Sequence, residues 1–170
     1  GTLKKRIDFL RNFGFQDEVT VVAPGSNGKV DEVRSAYGLL QLKYVDGEIA
    51  KRRQVAAFYR ENLKDISGIR MLQDLPGVQH NYGYFPILVK AEAYGMTRDA
   101  LYEKLKAKGI FARRYFYPLC SQFPTYRALK SAQPGSLPIA EEIAGCVLCL
   151  PVYAGLDVEM LDQIVGIVRK

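Results

Sequence analysis

The sequence predicts an α+β fold in which a long helix joins two bodies, and two observations carry that expectation. Val30, Val33, Tyr37, Leu40 and Tyr44 recur at intervals of three and four, and the stripe resumes through Ala56, Tyr59 and Leu63. From residue 69 onward, short apolar runs interleave with helical patterns, as in a domain built on a small antiparallel or mixed sheet.

Taken in order, Leu3, Ile7 and Leu10 mark a short amphipathic helix over residues 3–12, ended by Asn12-Phe13-Gly14. Glu18 to Ala23 reads as a short strand, and Pro24-Gly25-Ser26-Asn27-Gly28 as a turn. Asp31 and Glu32 then sit in the first turn of the long helix, where carboxylates favour the helix dipole. Gly47 marks a kink. A continuous helix over 30–63 would run for about 50 Å, against the ~30 Å of a small domain, so it suits a connector. Tyr84 to Val89 is a strong strand. Thr97 caps a helix carrying Leu101 and Leu105 that closes at Gly109. Ile110 to Tyr117 reads as an aromatic strand ended by Pro118, and Tyr126 to Lys130 as a short helix. Pro138 opens another helix, Cys146 to Val152 is extended, and Asp157 caps a final helix over 158–169.

Composition narrows the function. The 170 residues are 48% apolar and 25% charged, an ordinary globular balance that packs a core without metal or disulfide. No apolar run reaches the roughly 18 residues of a membrane span, and the opening Leu3-Lys4-Lys5-Arg6 lacks the greasy stretch of a signal peptide, so the cytoplasm is expected. The net charge of +6 suits an anionic partner. The basic residues are scattered, apart from Lys51-Arg52-Arg53 and Arg113-Arg114, so nucleic acid is not expected. Cys146-Val147-Leu148-Cys149 has C-x-x-C spacing but no second ligand pair, so no metal site is expected and the thiols read as small hydrophobes.

Two clusters invite a binding role. Asn27, at a glycine-flanked turn before a helix, offers N–H donors to an anion, with Lys29 adding charge; Asn27 also reads as a plain turn asparagine and Lys29 as a solvated lysine in the first helical turn. Arg113, Tyr115 and Tyr117 fall on one face of an alternating strand, with Arg114 and Phe116 on the other. Such a strand presents a guanidinium to a diphosphate and rings to a sugar or base; the same residues also read as core aromatics and surface arginines.

Several segments, in order, resemble the DegT/DnrJ/StrS family of sugar aminotransferases. Gly25-Ser26-Asn27-Gly28-Lys29-Val30-Asp31-Glu32-Val33 looks like its G-x-N-x-(R/K)-(M/L)-x-E-(I/V) signature. Leu10 to Phe15, Ser35 to Leu42, Arg52-Arg53 with Tyr59 and Leu63, Tyr84-Phe85-Pro86-Ile87, Arg113 to Pro118, and Leu150-Pro151-Val152-Tyr153 resemble further landmarks. The resemblance implies the C-terminal small domain of the aspartate-aminotransferase fold (residues 64–170), a linking helix (30–63) and the tail of a large cofactor-binding domain (1–29). It implies a dimeric enzyme using pyridoxal 5'-phosphate to move an amino group, from glutamate, to a nucleotide-linked keto-sugar, with dTDP as the nucleotide. Asn27 and Lys29 would serve the cofactor phosphate, Asn27 reaching across the dimer, and Arg113, Tyr115 and Tyr117 the substrate. The Schiff-base lysine of the family falls ahead of residue 1, so no catalytic residue is expected in these residues, and alone they should be inactive. A rival reading makes the chain a non-enzymatic basic α+β module binding a ligand or RNA on its 110–117 aromatics.

Overall fold

The computed structural model describes residues 1–169, and the chain divides between Val45 and Asp46 into two compact units. In the first, α1 (Thr2–Leu10) leads into an irregular loop and then α2 (Glu32–Leu42). The expected strand over Glu18–Ala23 does not form. Asp17 Oδ1 accepts the N–H groups of Val19 (3.1 Å) and Thr20 (2.8 Å), so the carboxylate takes donors that a ladder would need. Nor is 24–28 a tight turn. It runs alongside the end of α1: Ser26 N–H donates to the Leu10 carbonyl (2.9 Å), Phe13 N–H to that of Ser26 (3.1 Å) and Gly28 N–H to that of Arg11 (2.8 Å). Asn27 thereby bridges Asn12. Two glycines permit the approach. At Gly14, φ is +86°, and a Cβ there would fall on the Ala23 carbonyl oxygen; a Cβ at Gly25 would strike the Gly14 amide.

The apolar stripe from Val30 to Leu63 is not one helix. It starts only at Glu32, because Asp31 is the cap, accepting from Arg34 N–H at 2.9 Å. Lys43 and Tyr44 then donate to Leu40 (3.1 Å) and Gln41 (3.0 Å), the i−3 bonding that tightens a helix end. A second helix, α3, spans Val45–Leu63 and contains Gly47 without a break.

The second unit holds the core. The strands β1 (Ile69–Met71), β2 (Phe85–Val89) and β3 (Val147–Leu150) form an antiparallel sheet in the order β1-β2-β3. Ile69 pairs with Val89 and Ile87 with Leu148, so period-two alternation gathers these side chains. They join one cluster with Val55, Tyr59 and Leu63 of α3. Helices α4 (Ala91–Tyr94) and α5 (Arg98–Lys106) follow β2, α6 (Pro138–Cys146) precedes β3, and α7 (Val158–Arg169) ends the described chain. Leu101 and Leu105 of α5 and Ile164 and Val168 of α7 are fully buried, each contributing about 1.5–3 kcal/mol. The expected caps hold: Thr97 accepts from Ala100 N–H (3.2 Å) and Asp157 from Met160 N–H (2.8 Å). Tyr59 buries its hydroxyl but donates it to the Pro151 carbonyl at 2.9 Å, and burial holds its pKa far above the usual phenol range.

Two further expectations fail. Residues 110–117 are not a strand; one bridge, Arg113 with Cys149, is all the pairing they make. No α-helix forms over Tyr126–Lys130; turns and a bend lead from a short 3₁₀ segment at Cys120–Gln122 to another that starts at Lys130. Among the described residues, no helix is long and apolar enough to cross a membrane.

Candidate functional site

In the first unit, Asn27 and Lys29 are both exposed, in an extended stretch rather than at a helix start. This changes the chemistry available. The N-terminal amides of α2 lie beyond Asp31, whose carboxylate already accepts from Arg34 N–H and repels a second anion. The helix dipole is therefore not on offer to a phosphate at Asn27. What remains is a backbone pinned by the end of α1 and a carboxamide that, among the described residues, bonds to nothing. Such a side chain keeps both N–H donors for a ligand, with Lys29 supplying charge two residues on.

In the second unit, without a strand to impose alternation, the expected face of Arg113, Tyr115 and Tyr117 breaks into three environments. Arg113 exchanges both backbone bonds with Cys149 (2.9 and 2.8 Å), while its exposed guanidinium makes no ion pair among the described residues. Burial pushes the Cys149 thiol up to about 11 despite the nearby Arg113 charge, so that thiol stays protonated and inert. Tyr115 stacks on Phe116 at 4.1 Å and tilts against Tyr84, from the residue before β2, at 4.6 Å. Two guanidinium groups, those of Arg98 and Arg114, each lie 4.9 Å from the centre of the Tyr117 ring. Arg114 thus joins Tyr117 rather than opposing it. Together these residues offer a free guanidinium, a three-ring shelf and a ring held by cations.

Sequence reasoning missed Tyr84, Arg98, Asp99 and Tyr102. Arg98 is 3% exposed, the buried charged side chain among the described residues. It also missed a cluster in which Arg60 binds Asp74 through two nitrogens (2.6 and 3.3 Å) and Tyr82 donates its hydroxyl to the same carboxylate at 2.6 Å. The Arg60 and Tyr82 hydrogen bonds hold the Asp74 carboxyl below the usual carboxylate range. Residues His80, Asn81 and Tyr82 lie in a loop, with His80 Nδ1 accepting the Tyr82 N–H at 2.9 Å. Among the described residues, no three His, Cys, Asp or Glu gather to hold a metal.

The sequence profile of the DegT/DnrJ/EryC1/StrS aminotransferase family matches residues 1–169. The chain belongs to this family. It is 48% identical over 161 residues to an Escherichia coli dTDP-4-amino-4,6-dideoxy-D-glucose transaminase, covering 95% of this chain and 43% of that protein. A Shigella dysenteriae transaminase of the same name is 44% identical over 99% of this chain and 45% of its own length. Among solved structures, DesI in the presence of its TDP-sugar product superposes with a TM-score of 0.81 at 32% identity, over 96% of this chain and 41% of that one. The chain therefore spans less than half the length of the curated relatives it matches.

Members of this aminotransferase family use pyridoxal 5'-phosphate. The residues of the first unit fit part of that group. Uncommitted amide donors and an ammonium suit a phosphate, whereas the capped end of α2 does not.

Proposed function

We propose that this chain forms part of a pyridoxal-phosphate-dependent aminotransferase acting on a dTDP-linked keto-deoxysugar. The observation that carries this reading is the 48% identity, across 95% of the chain, to a transaminase named for dTDP-4-amino-4,6-dideoxy-D-glucose. The cofactor, when bound, supplies the electron sink that lets an amino group pass between a donor amino acid and the sugar. The residues of this chain bind and orient. Asn27 donates its carboxamide N–H groups to the cofactor phosphate, reaching a neighbouring subunit in a homodimer, and Lys29 adds positive charge. Arg113 pairs with the diphosphate, a role suited to its exposed guanidinium, which makes no ion pair among the described residues. Tyr115 and Tyr117 lie against the sugar or base. Glutamate is the proposed donor. The Schiff-base lysine belongs to the part of the enzyme that, by resemblance, precedes Gly1, so these residues alone do not turn over. Three free thiols, one of them exposed, accord with a reducing cytoplasm. The domain division at 29 and 63 also belongs to this reading.

The test is direct. Express the full reading frame that encodes these residues, supply dTDP-4-keto-6-deoxyglucose and glutamate, and follow the amino-sugar nucleotide by mass spectrometry. Turnover by the full protein and none by residues 1–170 alone is expected. A full protein that binds the cofactor yet aminates no sugar nucleotide would overturn the reading.

A further inference from the structure

Residues 114–117 lack a ladder, and side chains hold them instead. Arg98, the first residue of α5, is buried and donates from Nη1 to the Val147 carbonyl at 3.0 Å, which ties it to the start of β3. Its guanidinium lies over Tyr117, and that of Arg114 lies at the same 4.9 Å distance from the same ring. Arg114 also sits 4.5 Å from the ring of Tyr102, on the next turn of α5. Two like charges sharing one ring repel, and a buried guanidinium needs a counter-charge. One atom supplies it to both: Asp99 Oδ1 lies 2.9 Å from Arg98 Nε and 3.1 Å from Arg114 Nη1. The first contact is off the N–H axis, so it is ionic rather than a hydrogen bond. The second meets hydrogen-bond geometry. The assembly contains two guanidiniums and one carboxylate and so keeps net positive charge.

We propose that Arg98 and Asp99 are positioning residues for sugar-nucleotide recognition, acting through Tyr117 and Arg114. Asp99 sets the spacing of the two guanidiniums, the guanidiniums fix the Tyr117 ring, and the fixed ring orients the irregular segment that begins at Arg113. Arg113 and Arg98 are thereby divided in role: one is exposed toward an anion, the other is spent inside the protein. This inference rests on the sugar-nucleotide reading above. It adds two residues that touch neither cofactor nor substrate.

Asp99 is largely exposed, so Asp99→Asn keeps the fold while removing the shared counter-charge. Two measurements are needed. In this chain, with its tyrosines ¹³C-labelled, Asp99→Asn should shift the ring resonances of Tyr117, whereas Asp65→Asn, which breaks the remote pair with Arg169, should not. In the full enzyme, Asp99→Asn should raise KM for the dTDP-sugar about tenfold, with kcat and the KM for glutamate held within about twofold. Asp99→Glu should recover most of that loss, and Arg98→Lys, which keeps the charge but loses the planar group, should resemble Asp99→Asn. Unmoved Tyr117 resonances would overturn the clamp. Moved resonances with an unchanged sugar KM, or a loss spread equally over both substrates, would overturn its role in recognition. A wild-type enzyme inactive on sugar nucleotides would instead bring down the underlying reading, and the silent wild type would identify that case.

Discussion

The two units bury themselves to very different extents. Every residue of the hydrophobic core lies between Val55 and Val168, in the second unit. In the first unit Gly14 is the buried residue, and α2 buries none of its side chains. Val33, Tyr37, Leu39 and Leu42 of α2 are 63–80% exposed. Both units carry apolar stripes of similar quality in sequence, so a stripe states that a helix needs cover without saying where the cover is. An eleven-residue helix is marginal alone in water. The second unit supplies its own cover from α5, α7 and the sheet. The first draws its order from backbone bonds and caps.

The sharpest break of that contrast is a pair of leucine truncations. Leu148→Ala, at a fully buried position, should cost about 2–5 kcal/mol in a urea melt. Leu40→Ala, on exposed α2, should stay within about 0.5 kcal/mol. Comparable losses at both would show that α2 is packed in solution. Next in size, Asn27→Ala in the full enzyme should weaken cofactor binding by about 1–3 kcal/mol while leaving the melt alone. A changed melt with unchanged cofactor dissociation would make Asn27 a structural residue instead.

Smaller still is the Asp74 cluster. Its folded pKa lies below the ordinary aspartate value, so the carboxylate stabilises the fold above that ordinary value, and the contribution is lost as pH falls through the depressed one. Asp74→Asn should cost roughly 0.2–1 kcal/mol at pH 7 and progressively less as the pH falls through the depressed value, as read from paired melts. A cost that persists in acid would mean that shape, not charge, holds Arg60 and Tyr82 together. Least of all, Lys4→Ala should cost under about 0.5 kcal/mol, because its 2.5 Å pair with Asp8 is exposed and local. A larger loss, measured by amide exchange along α1, would give that helix more weight than its burial does.

What could be read in advance followed the range of the interaction. Thr97, Asp157 and Pro138 announced their helices because a cap acts over three or four residues, and β2 and β3 were visible as apolar runs bounded by turns. The strand β1 was not, since Ile69–Met71 is extended only because β2 pairs with it. The segments 18–23 and 110–117 both have strand composition and no ladder: each makes a single isolated bridge, Val21 with Phe15 and Arg113 with Cys149, and Asp17 takes two amides of the first. No breaker marks Lys43–Tyr44, where the long stripe divides, while Gly47, the residue that looked like one, is absorbed into α3. In the candidate site, Asn27 and Arg113 were legible as exposed polar residues in strong local motifs. Arg98 was not, because an arginine at a helix start is ordinarily solvated, and nothing in sequence joins Asp99 to Arg114 fifteen positions later.

Gly14 and Gly25 approach so closely that a methyl group on either would overlap backbone of the facing segment. Backbone cannot be trimmed to make room, so no second substitution nearby compensates for the first. A library randomised at both positions and selected for a folded first unit should therefore return glycine twice, with no correlated pairs. The loop that presents Asn27 can evolve in charge and in the identity of its exposed side chains, but not in its path.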